Sequence, residues 1–170
     1  MPDVAPPLVL WRAYVPRWAH LPLSGEGAAR FGGRWNPVGS PAIYAALELS
    51  TAWAEYNQGF VQHPALIVRM ELHGGEVADL TDDAMLERLG TSAAIHQCEW
   101  REMLAQGQEP STHILRSRLL ADGIAGVIYP SFMSPGGRCL ALWRWNEPGA
   151  PRLEIVDPEG RLPKTPASWL

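Results

Sequence analysis

Two arginines in a glycine-rich segment, followed by a tyrosine and a glutamate, are the residues of this sequence best suited to bind an anionic ligand. Arg30 and Arg34 lie among glycines at positions 25, 27, 32, 33 and 39. Glycine lets a ligand approach the backbone closely, and the planar guanidinium of arginine donates paired hydrogen bonds to phosphate. Tyr44 and then Glu55 follow within about two dozen residues of Arg34. This combination predicts a site for an anionic ligand that carries a planar ring.

Each candidate also fits an ordinary structural role. Glu55 lies on a predicted polar helix face, as a solvated glutamate would, and Tyr44 lies in an apolar strand, as a core tyrosine would. Ser131 follows a proline and fits a turn. Arg12 lies within an apolar strand, where its charge must be paired or must reach a cleft. Composition and spacing leave these alternatives open.

Other familiar catalytic patterns are absent from the sequence. It contains no G-x-x-x-x-G-K-[ST] phosphate loop, no G-x-S-x-G nucleophile elbow and no H-E-x-x-H zinc motif. The five histidines have no metal-ligand spacing, and His96 with Glu99 supplies only two ligands. Cys98 and Cys139 predict neither a zinc site nor a disulfide framework. We therefore expect no bound metal and reduced cysteines.

Length and composition predict one globular domain. The chain has 170 residues, of which 46% are hydrophobic, and a formal net charge of -4. The acidic balance argues against a broad nucleic-acid surface. No apolar stretch reaches the roughly 20 residues of a membrane helix, and the N-terminal residues do not read as a signal peptide. We expect a cytoplasmic protein that binds neither membranes nor nucleic acid directly.

The elements that would position these residues form no regular strand–helix alternation. Hydrophobic patterning predicts six strands, over residues 8–14, 42–46, 65–72, 126–129, 140–145 and 153–156. It predicts helices over 51–62, from 81 to 90, over 92–105 and from 111 to about 122, with Ser50, Thr81 and Ser111 as N-caps. Residues 24–30 are predicted as a loop. The order favours an α+β domain with a twisted, mostly antiparallel or mixed sheet.

The motifs occur in an order that resembles the RES-domain family, the toxin halves of bacterial toxin–antitoxin pairs. The family pattern is an early strand arginine, a G-x-G-A loop, G-G-R-W-N, a tyrosine, an acidic helix and a P-S step. In this sequence these correspond to Arg12, Gly25–Ala28, Gly32–Asn36, Tyr44, Glu55 and Pro130–Ser131. Many members carry an asparagine soon after the P-S step, where this chain has Arg138 and Cys139.

The resemblance implies a fold like that of the mono-ADP-ribosyltransferase toxins, a split β core with flanking helices and a cleft for NAD. It implies a single domain over residues 1–170, with a Pro- and Trp-rich extension from about 143 to 170 packed on it. It also implies NAD as substrate and a helix-turn-helix (Xre-like) antitoxin as partner.

The resemblance further implies roles for particular residues. Arg34, Tyr44, Glu55 and Ser131 would be catalytic. Arg12 and Gly33, together with Arg34, Tyr44 and Ser131, would bind NAD. Arginine would hold phosphate, tyrosine would stack on nicotinamide, and glutamate would stabilise the ribosyl cation.

The resemblance leaves three functions open. The first is a toxin that cleaves the nicotinamide–ribose bond of NAD and transfers ADP-ribose to water or phosphate. The second is a mono-ADP-ribosyltransferase that modifies a host protein. The third is a non-catalytic nucleotide-binding or interaction module, which the missing downstream asparagine would suit.

Overall fold

The strands form one seven-stranded sheet in the order β4-β5-β6-β2-β1-β3-β7, in which only β4 and β5 run parallel. The structure is a computed structural model that describes residues 5–59 and 61–169. The strands are β1 Leu8–Tyr14, β2 Ile43–Ala46, β3 Leu66–His73, β4 Val77–Asp79, β5 Gly126–Pro130, β6 Arg138–Leu142 and β7 Arg152–Ile155. The predicted mixed α+β class is therefore confirmed, and all six predicted strands are present with ends moved by a few residues.

Five short α-helices accompany the sheet within the residues that the structure describes. They are α1 Glu26–Phe31, α2 Leu49–Asn57, α3 Asp83–Arg88, α4 Trp100–Ala105 and α5 Ser111–Ala121. Single 3-10 turns lie at Pro16–Trp18, Ala93–Gln97 and Pro166–Trp169. None of the helices in the described part of the chain is long and apolar enough to cross a membrane.

Several sequence predictions were wrong in detail. The segment predicted as a loop over 24–30 contains α1, which ends at Gly32 with a φ of 69°. The helix predicted over 92–105 is divided, because Cys98 and Glu99 leave the helical region with ψ angles of 115° and 58°. The strand β4 was missed. The N-caps of α2 and α5 are Glu48 and Pro110, two residues and one residue before the predicted ones, and the N-cap of α3 is Asp82, one residue after the predicted one.

The sheet is split between β1 and β2. Strand β1 pairs with β3 along all seven residues, from Leu8 to Tyr14. Its pairing with β2 consists of one register position, Trp11 opposite Ala46. The sheet thus divides into a four-stranded half, β4-β5-β6-β2, and a three-stranded half, β1-β3-β7, that touch at a single point. Because the strands separate on either side of that point, the split opens the sheet to a ligand.

The two faces of the sheet carry different cores. One face packs strand side chains against each other, with Leu10, Met70, Leu140, Leu142 and Leu153 fully or almost fully buried. The opposite face packs against helices. At one end α3 and α5 cover it through residues such as Leu86, Leu115 and Leu119, and at the other end α2 covers it through Ala52. The separation of α2 from α5 leaves the part of the helical face beside the split open to a cavity.

Candidate active site

A cavity of about 230 Å³ lies at the split of the sheet, beneath α2. Residues 11–13 of β1 and 44–46 of β2 form two of its walls. The side chains of Ala52, Glu55 and Tyr56 on α2 close it from above. The fold therefore places a small, partly open cavity where the pairing of β1 with β2 is reduced to one register position.

The floor of the cavity is a row of side chains in register across four strands. Trp11 pairs with Ala46, Ala46 with Cys139, and Cys139 with Tyr129. Residues directly opposite each other in antiparallel strands point to the same face, so all four side chains face α2. All four line the cavity. Tyr44 lies two residues before Ala46 and, by the alternation along a strand, shares this face.

Glu55 projects from α2 and is joined to the loop after β5. Its Oε1 atom accepts a hydrogen bond of 2.5 Å from the Ser131 hydroxyl and bonds of 3.1 and 3.3 Å from the backbone N–H groups of Phe132 and Met133. No described residue donates to Oε2. These three N–H and O–H donors, with the Cys139 thiol as a weaker fourth at 3.8 Å, fix the orientation of the carboxylate, and its second oxygen is left for a ligand. The two predicted catalytic residues Glu55 and Ser131 are thus in direct contact.

Arg12 is a largely buried cation without a carboxylate partner among the described residues. Its Nη1 donates to the carbonyl of Pro22 at 2.6 Å and its Nη2 to that of Ser24 at 3.1 Å. Burial lowers the pKa of Arg12, and the nearby Tyr14 opposes that shift slightly. The exposed arginines at positions 138, 152 and 161 and the half-buried ones at 69 and 144 do pair with carboxylates. Arg12 lines the cavity from the other side of the split, because its side chain shares the face of β1 with Leu10 and Tyr14 and not with Trp11, and an anionic ligand that enters the split would neutralise its positive charge.

Tyr44 lines the cavity, and its hydroxyl is hydrogen-bonded within the protein. The hydroxyl donates to Oδ1 of Asn36 at 2.6 Å and accepts from the backbone N–H of Trp35 at 3.0 Å. Burial raises the pKa of Tyr44 well above its ordinary value, although the Trp35 N–H and two nearby arginines oppose the rise. The hydroxyl is therefore a structural anchor that remains protonated, and the ring is the part left to contact a ligand.

Asn36 is the centre of the G-G-R-W-N turn. It is fully buried, and its amide nitrogen contacts the carbonyls of Ala28 and Ser40 at 2.9 Å and of Pro37 at 3.3 Å. Gly33 must be glycine, because an added Cβ would lie 2.5 Å from the Tyr44 hydroxyl. The motif thus builds the turn that supports Tyr44.

Arg34 connects this turn to the segment before α4. Its Nη1 donates to the carbonyls of His96 and Cys98, each at 3.0 Å. Arg34 and Gly33 are not among the residues that line the cavity. The structure thus brings Arg12, Tyr44, Glu55 and, through Glu55, Ser131 together at the cavity, and it places Gly33 and Arg34 behind Tyr44. A direct contact of Arg34 or Gly33 with a ligand remains a prediction.

Cys139 lies on the cavity floor as a neutral thiol. Burial raises the pKa of Cys139 to about 12, and the carboxylate of Glu55, whose Oε1 is 3.8 Å from Sγ, adds to the rise. A thiol with this pKa is not a nucleophile near neutral pH. Among the described residues, no three side chains of the metal-ligating types come together. The polar chemistry of the cavity therefore rests on Arg12, Glu55, Ser131 and the tyrosines.

Comparison with known proteins identifies the family. The RES domain family matches residues 9–165, which include every site residue described above. The chain belongs to the RES domain family. The sequence-based recognition is therefore confirmed over nearly the whole chain.

This RES domain is similar to a curated toxin and to a chain of known structure. It is 30% identical over 79 residues to "Toxin Res" of Photorhabdus laumondii subsp. laumondii, and the alignment spans 46% of this chain and 42% of that protein. The chain thus aligns with less than half of the length of the curated relative. It is also similar to a chain in the crystal structure of the M. tuberculosis MbcT-MbcA toxin-antitoxin complex, with a TM-score of 0.63 and 22% identity over 97% of this chain and 88% of that one. This structural likeness establishes the RES-domain fold.

The RES domain also contains site residues that the sequence analysis did not identify. Trp11, Cys139 and Tyr129 line the cavity, and Asn36 supports Tyr44. Tyr129 directly precedes the P-S step, so its closeness to Ser131 was a usable signal. Asn36 was noted only as the last residue of the G-G-R-W-N motif, and its role could not be foreseen because its four partners become neighbours only in the folded turn.

Arg138 occupies the position where the resemblance led us to expect asparagine. Its guanidinium lies 3.5 Å from Oε1 of Glu48, and its backbone N–H donates to the other oxygen of that carboxylate at 3.0 Å. Glu48 is the N-cap residue of α2. Arg138 therefore ties the start of β6 to the start of α2, and it is not among the residues that line the cavity.

Proposed function

We propose that this RES domain is the toxin of a bacterial toxin–antitoxin pair and that it consumes NAD by cleaving the bond between nicotinamide and ribose. The observation that carries the proposal is the pairing, in one small cavity, of an uncompensated buried arginine with a carboxylate held by three donors. NAD has a matching distribution of charge, because its pyrophosphate is anionic and its nicotinamide riboside is cationic.

Arg12 would hold the anionic part of the substrate. Its guanidinium is fixed by two backbone carbonyls, which occupy two of its five N–H groups. The remaining donors are available to phosphate oxygens or to the phosphate-bearing ribose. Arg34 would bind phosphate together with Arg12 only if the ligand extends behind Tyr44. Its contacts with the carbonyls of His96 and Cys98 support a role in holding the G-G-R-W-N turn.

Glu55 would favour the bond cleavage. The bond between C1′ of ribose and the pyridinium nitrogen breaks, and its electron pair leaves with neutral nicotinamide, which needs no proton. The ribose becomes oxocarbenium-like, and a fixed carboxylate stabilises that positive charge. Ser131 keeps the carboxylate in place through its hydrogen bond to Oε1. A water oxygen then bonds to C1′ and loses a proton, which gives ADP-ribose, or a phosphate oxygen bonds instead, which gives the phosphorylated product.

The size of the cavity supports binding of one half of the dinucleotide within it. A volume of about 230 Å³ is below the range of about 300–1,000 Å³ that is typical of pockets for drug-sized ligands. The nicotinamide riboside half would therefore enter beside the Tyr44 ring, and the adenosine half would lie at the mouth. A cation-π contact of the pyridinium with Tyr44 would contribute about 0.5–2 kcal/mol.

Transfer of ADP-ribose to a protein is the second candidate, and Phe132 favours it. This side chain is 83% exposed, although its own backbone N–H is bonded to Glu55. An exposed aromatic residue beside the reacting carboxylate is the kind of feature with which a protein acceptor is recognised. Water or phosphate would need no such surface.

The proposed partner is an antitoxin with a helix-turn-helix domain. One structural relative is part of a toxin-antitoxin complex, and an unblocked NAD cavity would harm the cell that makes the protein. We expect a segment of the antitoxin to cover the mouth of the cavity and to exclude NAD, so that the complex is inactive and excess NAD competes with the segment.

The experiment combines purified chain with NAD and measures nicotinamide release and the second product by chromatography, with and without phosphate and with candidate acceptor proteins. The proposal predicts release of nicotinamide together with ADP-ribose or its phosphorylated form. ADP-ribose that appears only as an attachment to an added protein would favour the second candidate, transfer of ADP-ribose to a protein. Absence of release under all three conditions would contradict both enzymatic functions and would favour a binding module.

A further inference from the structure

Tyr129 has a hydroxyl group that the fold does not use. The hydroxyls of the other three tyrosines, Tyr14, Tyr44 and Tyr56, each donate a hydrogen bond to another residue of the protein. The Tyr129 hydroxyl has no hydrogen-bond partner among residues 5–59 and 61–169. Its ring is nevertheless fixed, since it packs against the buried ring of Trp35 at a centroid distance of 5.6 Å and an angle of 45°. A polar group held in place without a protein partner is available to a ligand.

The surroundings of Tyr129 locate that hydroxyl within the proposed NAD site. The residue lines the cavity and lies in register with Cys139 on the cavity floor. Burial raises the pKa of Tyr129 well above its ordinary value, and Cys139, Tyr44 and the Glu55 carboxylate add to the rise. Cys139, Tyr44 and Glu55 line the same cavity as Tyr129, and the hydroxyl keeps its proton, so that it can donate a hydrogen bond at any physiological pH.

We propose that Tyr129 is a ligand-binding residue whose hydroxyl donates a hydrogen bond to an oxygen of the nicotinamide riboside half of NAD. The inference rests on the proposed function, in which the Tyr44 ring contacts the nicotinamide and Glu55 faces the ribose. A donor located between those two residues is at the junction of base and sugar. Two acceptors are chemically suitable there, namely the carboxamide oxygen and a ribose hydroxyl. Trp35 and Tyr129 together thus form a fixed aromatic support that presents one donor to the substrate.

The test compares two variants that each lose one tyrosine hydroxyl. Tyr129→Phe keeps the ring against Trp35, and Tyr14→Phe removes the bond of 3.1 Å to the Ala19 carbonyl, away from the cavity. Affinity is measured by calorimetry with an uncleavable NAD analogue whose ribose ring oxygen is replaced by methylene, and stability by thermal unfolding. We expect Tyr129→Phe to melt at the wild-type temperature and to bind about tenfold more weakly, the effect of one lost hydrogen bond. Tyr14→Phe should melt earlier and bind normally.

The outcomes separate this inference from the proposed function. If wild type binds the analogue and Tyr129→Phe binds it equally well, the inference is overturned and the proposed function is not. If wild type does not bind the analogue, both are overturned. If Tyr129→Phe does bind the analogue more weakly, titration with nicotinamide alone identifies the acceptor. Weaker nicotinamide binding in Tyr129→Phe would assign the carboxamide oxygen. Unchanged nicotinamide binding would assign a ribose hydroxyl.

Discussion

The hydroxyl of Ser131 donates a hydrogen bond of 2.5 Å to Oε1 of Glu55, although the two residues are 76 positions apart in the chain. The same hydroxyl accepts a bond of 2.9 Å from the backbone N–H of Ser134. Ser131 therefore joins the loop between β5 and β6 to α2 and sets the direction of the carboxylate. The P-S step and the acidic helix, which are separate motifs in the sequence, form one unit in the structure.

Replacing Ser131 should impair turnover through Glu55. In Ser131→Ala, Oε1 keeps the two backbone donors and the weak Cys139 thiol donor but loses its shortest hydrogen bond, and the carboxylate can rotate away from the ligand. We expect kcat to fall about tenfold, with a smaller change in KM and a loss of stability of about 1 kcal/mol. Ser117→Ala is the matched control, because that hydroxyl bonds to the His113 carbonyl on α5. Equal kcat for Ser131→Ala and wild type would remove Ser131 from the site.

Replacing Arg12 should weaken substrate binding more than the chemical step. Arg12→Gln removes the uncompensated charge, and we expect NAD affinity to fall about 10- to 100-fold. Arg12→Lys should recover little, since one ammonium group cannot contact the Pro22 and Ser24 carbonyls and a phosphate in the same geometry. Arg152→Gln, at an exposed ion pair with Glu154, is the control. Calorimetric titration measures the effect, and an unchanged Kd in Arg12→Gln would show that the anion binds elsewhere.

Asn36 should be among the most costly residues to replace. Asn36→Leu preserves volume but leaves three carbonyls and the Tyr44 hydroxyl without their partner, and we expect a loss of about 3–5 kcal/mol in the free energy of unfolding. Tyr44→Phe removes one of these bonds and also the acceptor of the Trp35 backbone N–H, and it should cost about 2–3 kcal/mol. Urea unfolding provides both values. A loss below 1 kcal/mol in Asn36→Leu would mean that the turn forms without its central amide.

The sequence was sufficient for the strands and for part of the site, and the reasons are local. The apolar run of β1 and the alternation of apolar residues in β3 predicted these strands directly, and the types of Arg12, Tyr44 and Glu55 indicated their chemistry. Strand β4 was missed because its three residues form a strand only by pairing in parallel with β5, about fifty residues later. Helix α1 was missed because Gly25 and Gly27 favour a loop. It is stabilised in part by the hydrogen bond from the Gly39 N–H to the Ala29 carbonyl. The contacts of Arg34 with residues 96 and 98 are set entirely by tertiary structure.

Cys139 provides a test that depends on pH. Its folded pKa is about 12, and the ordinary value is 9.0. The stability that comes from keeping the thiol neutral is fully present below pH 9, and it is lost as the pH rises from 9 towards 12, because the unfolded chain ionises first. The stability advantage of wild type over Cys139→Ala should therefore be about 1 kcal/mol smaller at pH 10 than at pH 8. Urea unfolding at the two pH values measures it, and an advantage that grows with pH would contradict the raised pKa.

The same variant tests the chemistry of the cavity floor. Because the Cys139 thiol is protonated at neutral pH, we expect Cys139→Ala to release nicotinamide from NAD within a few fold of the wild-type rate. Complete loss of turnover in a folded Cys139→Ala protein would indicate covalent catalysis by sulfur and would displace Glu55 from the central role.

The charge of Glu55 is the centre of this account, and Glu55→Gln tests it most directly. Glutamine preserves the size of the side chain and an oxygen that can accept from Ser131, but it removes the negative charge that stabilises the ribosyl cation. Glu102→Gln, on the exposed helix α4, is the control. The measurement pairs the affinity for the uncleavable NAD analogue with the rate of nicotinamide release from NAD. We predict that Glu55→Gln binds the analogue as wild type does and releases nicotinamide about 10²- to 10³-fold more slowly. Release at the wild-type rate would contradict the account, because the cavity would then have no role for its carboxylate.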